Sequence, residues 1–246
     1  MLFFAFIRRI LVLIGGIICN FAPEKTYFFQ NLTPMENQII DAYREMLISG
    51  EGEINSYTIS RKLGITEKDF FQYFTSADDV ARKIWANLGD KVIEMLNGSE
   101  LHNSYPPRQK VLSYFFTFFE VALNERTFID RTIGNSDFLK TYRENFKNYI
   151  GDIVQEGIAT EDMKERLSLS NYYPNVLWEL HTKLIRFWLT DTSDNFVETE
   201  KAIEIYSKVP LELMGPNLFD SLFETVKFNF EQFSFDKINI FSKARV

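Results

Sequence analysis

Apolar side chains begin to recur at helical spacing from Met35 onward. Ile39, Ile40, Tyr43, Met46 and Leu47 share one face, and Gly50 and Gly52 close that helix. Ser56 caps a second, short helix through Leu63, with Ile59 and Leu63 inward, and Gly64 supplies the tight turn beneath which Ile65 packs. Thr66 caps a third helix over Glu67–Tyr73, and Ser76 caps a fourth over Ala77–Leu96 that ends at Asn97–Gly98. The polar stretch Gly98–Pro107 then interrupts the pattern and marks a boundary. Past it, helices are predicted over Arg108–Leu123, Phe138–Gln155, Pro174–Thr190, Phe196–Met214 and Leu218–Phe233. Pro210 predicts a kink and Gly215–Pro216 a break. No strand alternation and no internal repeat is present. The expected fold class is all-α, in three parts: an N-terminal extension (1–34), a small helical head (35–98) and a larger helical domain (99–246).

Composition sharpens this picture in two places. With 25 Phe, 11 Tyr and 3 Trp, an aromatic-rich core or pocket is expected. The net charge is −7, and the head itself carries seven basic against eleven acidic side chains, a net of −4. Grip on nucleic acid rests heavily on phosphate neutralisation, so such a head binds DNA only if Arg61, Lys62 and Lys68 cluster on one face. The lone Cys19 gives no disulfide, no Cys-based zinc site and no redox pair, which fits the cytoplasm.

Met1–Cys19 (MLFFAFIRRILVLIGGIIC) admits three readings. As a membrane anchor it is split by Arg8 and Arg9, whereas a spanning helix wants about 20 uninterrupted apolar residues. As a secretory signal it lacks a small-residue cleavage site, and Ile18 stands where a lipoprotein signal would have a small residue. In the third reading translation starts at Met35. Membrane association is expected only through residues 1–19, if they are translated.

Enzyme chemistry finds no inventory. The two histidines lie in different segments, and there is no H-E-x-x-H pair, no nucleophile–base arrangement and no phosphate-cradling glycine loop. No catalytic residue, metal site or cofactor is expected.

The stretch Tyr57–Ile84 (YTISRKLGITEKDFFQYFTSADDVARKI) resembles the DNA-binding head of TetR-family regulators. The likeness is carried by Ile59, the Leu63-Gly64-Ile65 turn, Thr66 as cap, the Tyr73-Phe74 pair and Ser76 opening the fourth helix. It implies a helix-turn-helix whose third helix enters the major groove. Base edges would then meet Thr66, Lys68, Asp69 and Gln72, while Arg61, Lys62, Tyr73 and Ser76 would touch phosphate. Two phosphate-binding positions of the family depart from pattern: Phe71 stands in place of a tyrosine and Ala77 in place of a lysine. The later segment Phe187–Thr199 (FWLTDTSDNFVET) is similar to TetR-type C-terminal domains with a W-x-x-D-x-S pattern. It is also similar to the TetR-fold lipid-binding protein of ubiquinone biosynthesis, which is not a repressor. The resemblance therefore implies a dimeric, DNA-binding transcriptional regulator that responds to a hydrophobic small molecule. The alternative is a lipid-binding accessory protein whose head no longer binds DNA.

In the larger domain, Phe115, Phe118, Phe119, Trp178, His181 and Trp188 either line a cavity for an apolar ligand or fill a plain core. Tyr172 and Tyr173 would place hydroxyls at the mouth of such a cavity, whereas His102 falls in the polar linker. Trp178, Leu180, Leu184 and Phe187, with Leu222, Phe223, Val226 and Phe230, suit either core or the seam of a homodimer. The tail Phe228–Phe241, with Lys237, Lys243 and Arg245, is an alternative membrane-touching segment.

Overall fold

The computed structural model describes residues 33–215 apart from 51 and 166. The readings placed on residues 1–32, on Pro216, on the helix Leu218–Phe233 with its seam residues, and on the tail 228–241 lie outside the described residues. Within them every element is helical: α1 (Pro34–Ser49), α2 (Ser56–Leu63), α3 (Glu67–Phe70), α4 (Ala77–Asn97), α5 (Glu100–Asn103), α6 (Pro107–Ala122), α7 (Arg126–Thr132), α8 (Lys140–Ala159), α9 (Tyr173–Thr190) and α10 (Val197–Met214). Short 3-10 turns lie at Leu123–Glu125, Leu167–Tyr172 and Asp194–Phe196. None of these helices is long and apolar enough to cross a membrane.

Local chemistry starts the head's helices. Thr33, Asn55 and Thr66 each cap a helix, and each is answered three residues later by Glu36, Thr58 or Asp69 in a reciprocal capping box. Gly64 ends α2 at φ 68°, a left-handed conformation that costs glycine nothing. The third helix is shorter than the periodicity predicts. It is α-helical to Phe70, after which Gln72 N–H bonds back to Asp69 C=O and Tyr73 N–H to Phe70 C=O. Such three-residue spacing is the tightening common at helix ends.

One apolar cluster runs without interruption from Ile39 in α1 to Met214 in α10. In the head Phe70, Phe74, Ile59 and Ile40 close the interior. In the body α8 packs against α4, α6 and α9, and α10 lies along α9 and α6. The crossing of α4 and α8 is close: a methyl at Gly89 would sit 2.6 Å from the Tyr142 ring. Pro210 stands inside one continuous helix, α10.

The linker predicted as a polar boundary folds into α5, and His102 is buried there rather than exposed. Ser113 Oγ donates to the Lys110 carbonyl at 2.9 Å and therefore accepts from His102 Nδ1–H at 2.6 Å. That leaves Nε2 to accept from Tyr149 O–H at 3.0 Å. Burial, aided by nearby Lys110, pulls this imidazole down to about 4, so it serves as a neutral pin between α5, α6 and α8.

Ion pairs and hydrogen bonds clasp head to body, Asn145 Nδ2–H donating to Asp90 Oδ1 at 3.1 Å among them. Arg44 of α1 meets the buried Glu125 at 2.9 Å, Arg82 of α4 meets Asp137 at 2.6 Å, and Trp85 Nε1–H donates to Thr132 Oγ1 at 3.0 Å. Glu125 is pushed up by its burial, and the Arg44 guanidinium opposes that rise.

Candidate nucleic-acid interface and interior aromatic cluster

The turn at Gly64 sets α3 across α2, and the Phe70 side chain, fully buried, anchors it. Residues on the opposite side project outward: Lys68 and Gln72 are exposed, and so is Arg61 at the end of α2. Thr66 and Asp69 are exposed or half-exposed but engaged with each other. Asp69 Oδ2 accepts from Thr66 N–H at 3.0 Å and from Thr66 O–H at 2.7 Å, and these bonds hold its carboxyl below the usual range. Oδ2 is thus engaged in capping. Lys62 lies 3.4 Å from the Glu45 carboxylate, so part of its charge is already answered. Ser76 accepts from Asp79 N–H as the cap of α4, and Tyr73 is half-buried against the core. A further bond, Ser56 O–H to Glu67 Oε1 at 2.7 Å, ties the starts of α2 and α3 together.

Two side chains on this part of the head were not among the expected contacts. Phe71 is 53% exposed and Tyr57 57% exposed, both unusual for aromatics in a small domain. For Phe71 a signal was present in the Phe70-Phe71 pair. Successive helix positions diverge by about 100°, so one ring inside forces the other outward.

The body gathers five of the expected pocket residues around a sixth, His181, which has no exposed surface. Phe115 lies parallel to the imidazole at 5.6 Å, Phe118 meets it edge-on at 4.5 Å, and Phe119 and Trp178 approach at 6.4 and 6.1 Å. Trp188 joins through Phe119, centroid to centroid 5.6 Å. Tyr172 does not join them: it is 57% exposed, whereas Tyr173 is buried. Three residues missing from the expected set complete the cluster. Phe146 lies parallel to His181 at 5.0 Å, Tyr142 O–H hydrogen-bonds to His181 Nε2 at 2.5 Å, and the Tyr114 hydroxyl lies 3.4 Å from that of Tyr142. Spacing of four between Tyr142, Phe146 and Ile150 marks them as one buried face of α8, the signal that would have found them. Burial holds His181 at about 3, so it is neutral, and raises both tyrosines.

At the far end of this cluster the W-x-x-D-x-S segment builds the start of α10. Asp191 accepts from Ser193 N–H and O–H at 2.8 and 2.7 Å, and from Thr199 N–H and O–H at 2.9 and 2.6 Å. The Arg126 guanidinium lies 5.4 Å from both the Trp188 and Phe196 rings and donates to the Leu189 carbonyl at 2.8 Å, closing the end of α9.

Residues 110–228 match the family described as "Tetracyclin repressor-like, C-terminal domain". That segment, just under half of the chain, is thus similar to a TetR-type C-terminal domain. Solved structures agree with this likeness at the level of fold. One is a putative TetR-family transcription regulator from Shewanella sp. PV-4, with TM-score 0.57 and 11% identity, covering 75% of this chain and all of that one. A TetR-family regulatory protein from Rhodococcus RHA1 gives 0.51 at 12% identity, covering 75% of this chain and 98% of that one. The fatty acid degradation regulator FadR of Bacillus halodurans gives 0.53 at 14%, covering 76% and 98%. No curated protein matches the chain. Over about three quarters of the chain the fold is thus similar to that of these solved structures.

Proposed function

We propose that the protein is a ligand-responsive, DNA-binding transcriptional regulator of the TetR type that acts as a homodimer. The observation that carries this is the outward face of the helix-turn-helix, where Arg61, Lys68 and Gln72 are exposed together while Phe70 and Phe74 anchor the helix from behind. Lys68 and Gln72 would read base edges, and Arg61 and Lys62 would meet phosphate. The hydrophobic ligand would enter the aromatic interior around His181. Support comes from the fold shared with a regulator of fatty acid degradation, a pathway whose molecules have apolar chains. For the dimer, α10 presents Val197, Ile205 and Val209 to solvent, the last two more than 60% exposed. This outer stripe suits a seam better than Trp178 and Leu184, which are buried within the chain itself.

The test is titration of DNA from the protein's own locus at several salt concentrations. A saturable, sequence-selective complex is expected; its absence even at low salt removes the regulator reading. A second reading, a TetR-fold lipid-binding protein with an idle head, is favoured by Glu45 beside Lys62 and by the engaged Asp69 carboxylate. Lipid co-purifying with a protein that shows no DNA selectivity would establish that alternative.

A further inference from the structure

Several buried polar atoms of the described residues make no hydrogen bond, and one of them, His181 Nδ1, lies at the centre of the aromatic cluster. His181 Nδ1 is fully buried and has no hydrogen-bond partner. Buried polar groups are paired in the great majority of cases, and an unmade hydrogen bond at such a site is costly. The other nitrogen is accounted for: Tyr142 O–H, the stronger donor of the two, donates to Nε2 at 2.5 Å. With Tyr114 donating to Tyr142 and Tyr142 to Nε2, the tautomer this arrangement favours, Nδ1 carries the hydrogen and is a donor without an acceptor. The flanking rings of Tyr114, Phe115, Phe118, Tyr142, Phe146 and Trp178 carry no charge. An oxygen entering this space finds a hydrogen to accept but no cation to neutralise it, so a carboxylate would lose its hydration without compensation.

We infer that His181 Nδ1–H is the polar anchor of the interior site, and that its ligand is an uncharged molecule pairing an apolar body with a carbonyl or ether oxygen. The inference rests on the regulator's aromatic interior being its ligand site, and it excludes free fatty carboxylates as the preferred effector. Tyr142 links the anchor to α4, because the same ring that bonds to His181 stacks on Trp85 at 5.5 Å and abuts Gly89. Occupancy at Nδ1 therefore bears on the helix that carries the head.

The experiment compares 2-decanone with decanoate at pH 8, following quenching of the buried tryptophans. The chain has two histidines, so a 15N-histidine spectrum of the unaltered protein reports the anchor directly. The ketone should bind at least tenfold tighter than the carboxylate. It should shift the His181 Nδ1–H resonance while leaving that of His102 in place. In His181→Phe, which keeps an aromatic ring in the stack, the two affinities should fall within about threefold of each other. Equal binding of both probes, or ketone binding that leaves the His181 resonance unmoved, overturns the anchor and leaves the ligand-binding interior standing. Failure of both probes to bind overturns the interior site and the anchor together.

Discussion

Replacing Gly89 with alanine should destabilise the protein, although the same change in an exposed helix would stabilise it. Gly89 lies in the middle of α4, where alanine is favoured over glycine by about 1 kcal/mol on helix propensity alone. Against that gain, the added Cβ would lie 2.6 Å from Tyr142 Cδ2 and 2.8 Å from Cε2, where ordinary contact begins at 3.4 Å. The ring would have to retreat by about 0.8 Å. It has no easy direction in which to move: Trp85 is stacked on it at 5.5 Å, Trp178 stands edge-on at 5.4 Å, Phe118 lies near-parallel at 6.0 Å, and the hydroxyl is bound to His181. Overpacking of this kind costs about 1–3 kcal/mol, and with the ring held on every side the upper part of that range applies, which leaves a net loss of up to about 2 kcal/mol. Each kcal/mol moves the midpoint of a domain this size by roughly 2–4 °C, so thermal unfolding should fall by several degrees. The companion measurement places the alanine in a Tyr142→Ala background, where with the ring gone it should be neutral or favourable. A midpoint raised by Gly89→Ala alone, as helix propensity by itself predicts, would refute the tight crossing of α4 and α8.

Three other changes separate the remaining contacts. Arg44→Ala leaves Glu125 buried and unpaired, a loss of about 3 kcal/mol near neutrality. Because that carboxyl already lies above its usual value and would rise further, the deficit should shrink as pH falls and its proton returns, which urea unfolding at several pH values would record. Asp191→Ala removes four hydrogen bonds from the start of α10 and should weaken both folding and dimer formation, read by sedimentation. Burial pushes Asp191 up, but the bonds from Thr199 and Ser193 prevail and hold it low, so its contribution is present above the ordinary carboxylate range and fades on acidification. On DNA, Lys68→Ala should flatten the plot of log affinity against log salt by about 0.9 per lost phosphate contact, if the lysine touches phosphate rather than a base edge. Glu45→Gln, by removing the negative charge beside Lys62, should steepen the same plot; an unchanged slope in both variants would place neither lysine against a phosphate.

How much of this could be read from the chain differs between head and body for a physical reason. Head helices are announced by local signals, the caps at Thr66 and Ser76 and the glycine at Gly64, and these survive in the structure with their hydrogen bonds in place. Phe115, Phe118, Trp178, His181 and Trp188 were legible as an apolar set because aromatic density on one helix face implies burial. What no local pattern reveals is pairing across the fold. Tyr142 reaches His181 over 39 residues, Arg44 finds Glu125 through the meeting of α1 with the turn before α7, and Lys62 meets Glu45 where α2 crosses α1. Likewise the sequence marks Asp69 as an anion near the groove, and only the structure shows that its Oδ2 also accepts from Thr66.

The arrangement of α4 gives these pairings their consequence. Its first turn is capped by Ser76 beside α3, while Trp85 and Gly89 further along it pack on Thr132 and Tyr142 of the body. From Gly89 back to Ala77 is twelve residues, or about 18 Å of helix, a stiff arm by which a small displacement in the aromatic interior becomes a larger one at α3. The arm does not swing freely, because the pairs Arg44–Glu125 and Arg82–Asp137 hold the head to the body beside it. A ligand that moves Tyr142 must therefore strain or break these clasps. The coupling between interior and DNA is then limited by their strength, so loosening the buried Arg44–Glu125 pair should reduce the ligand's effect on DNA affinity even where both binding sites remain intact.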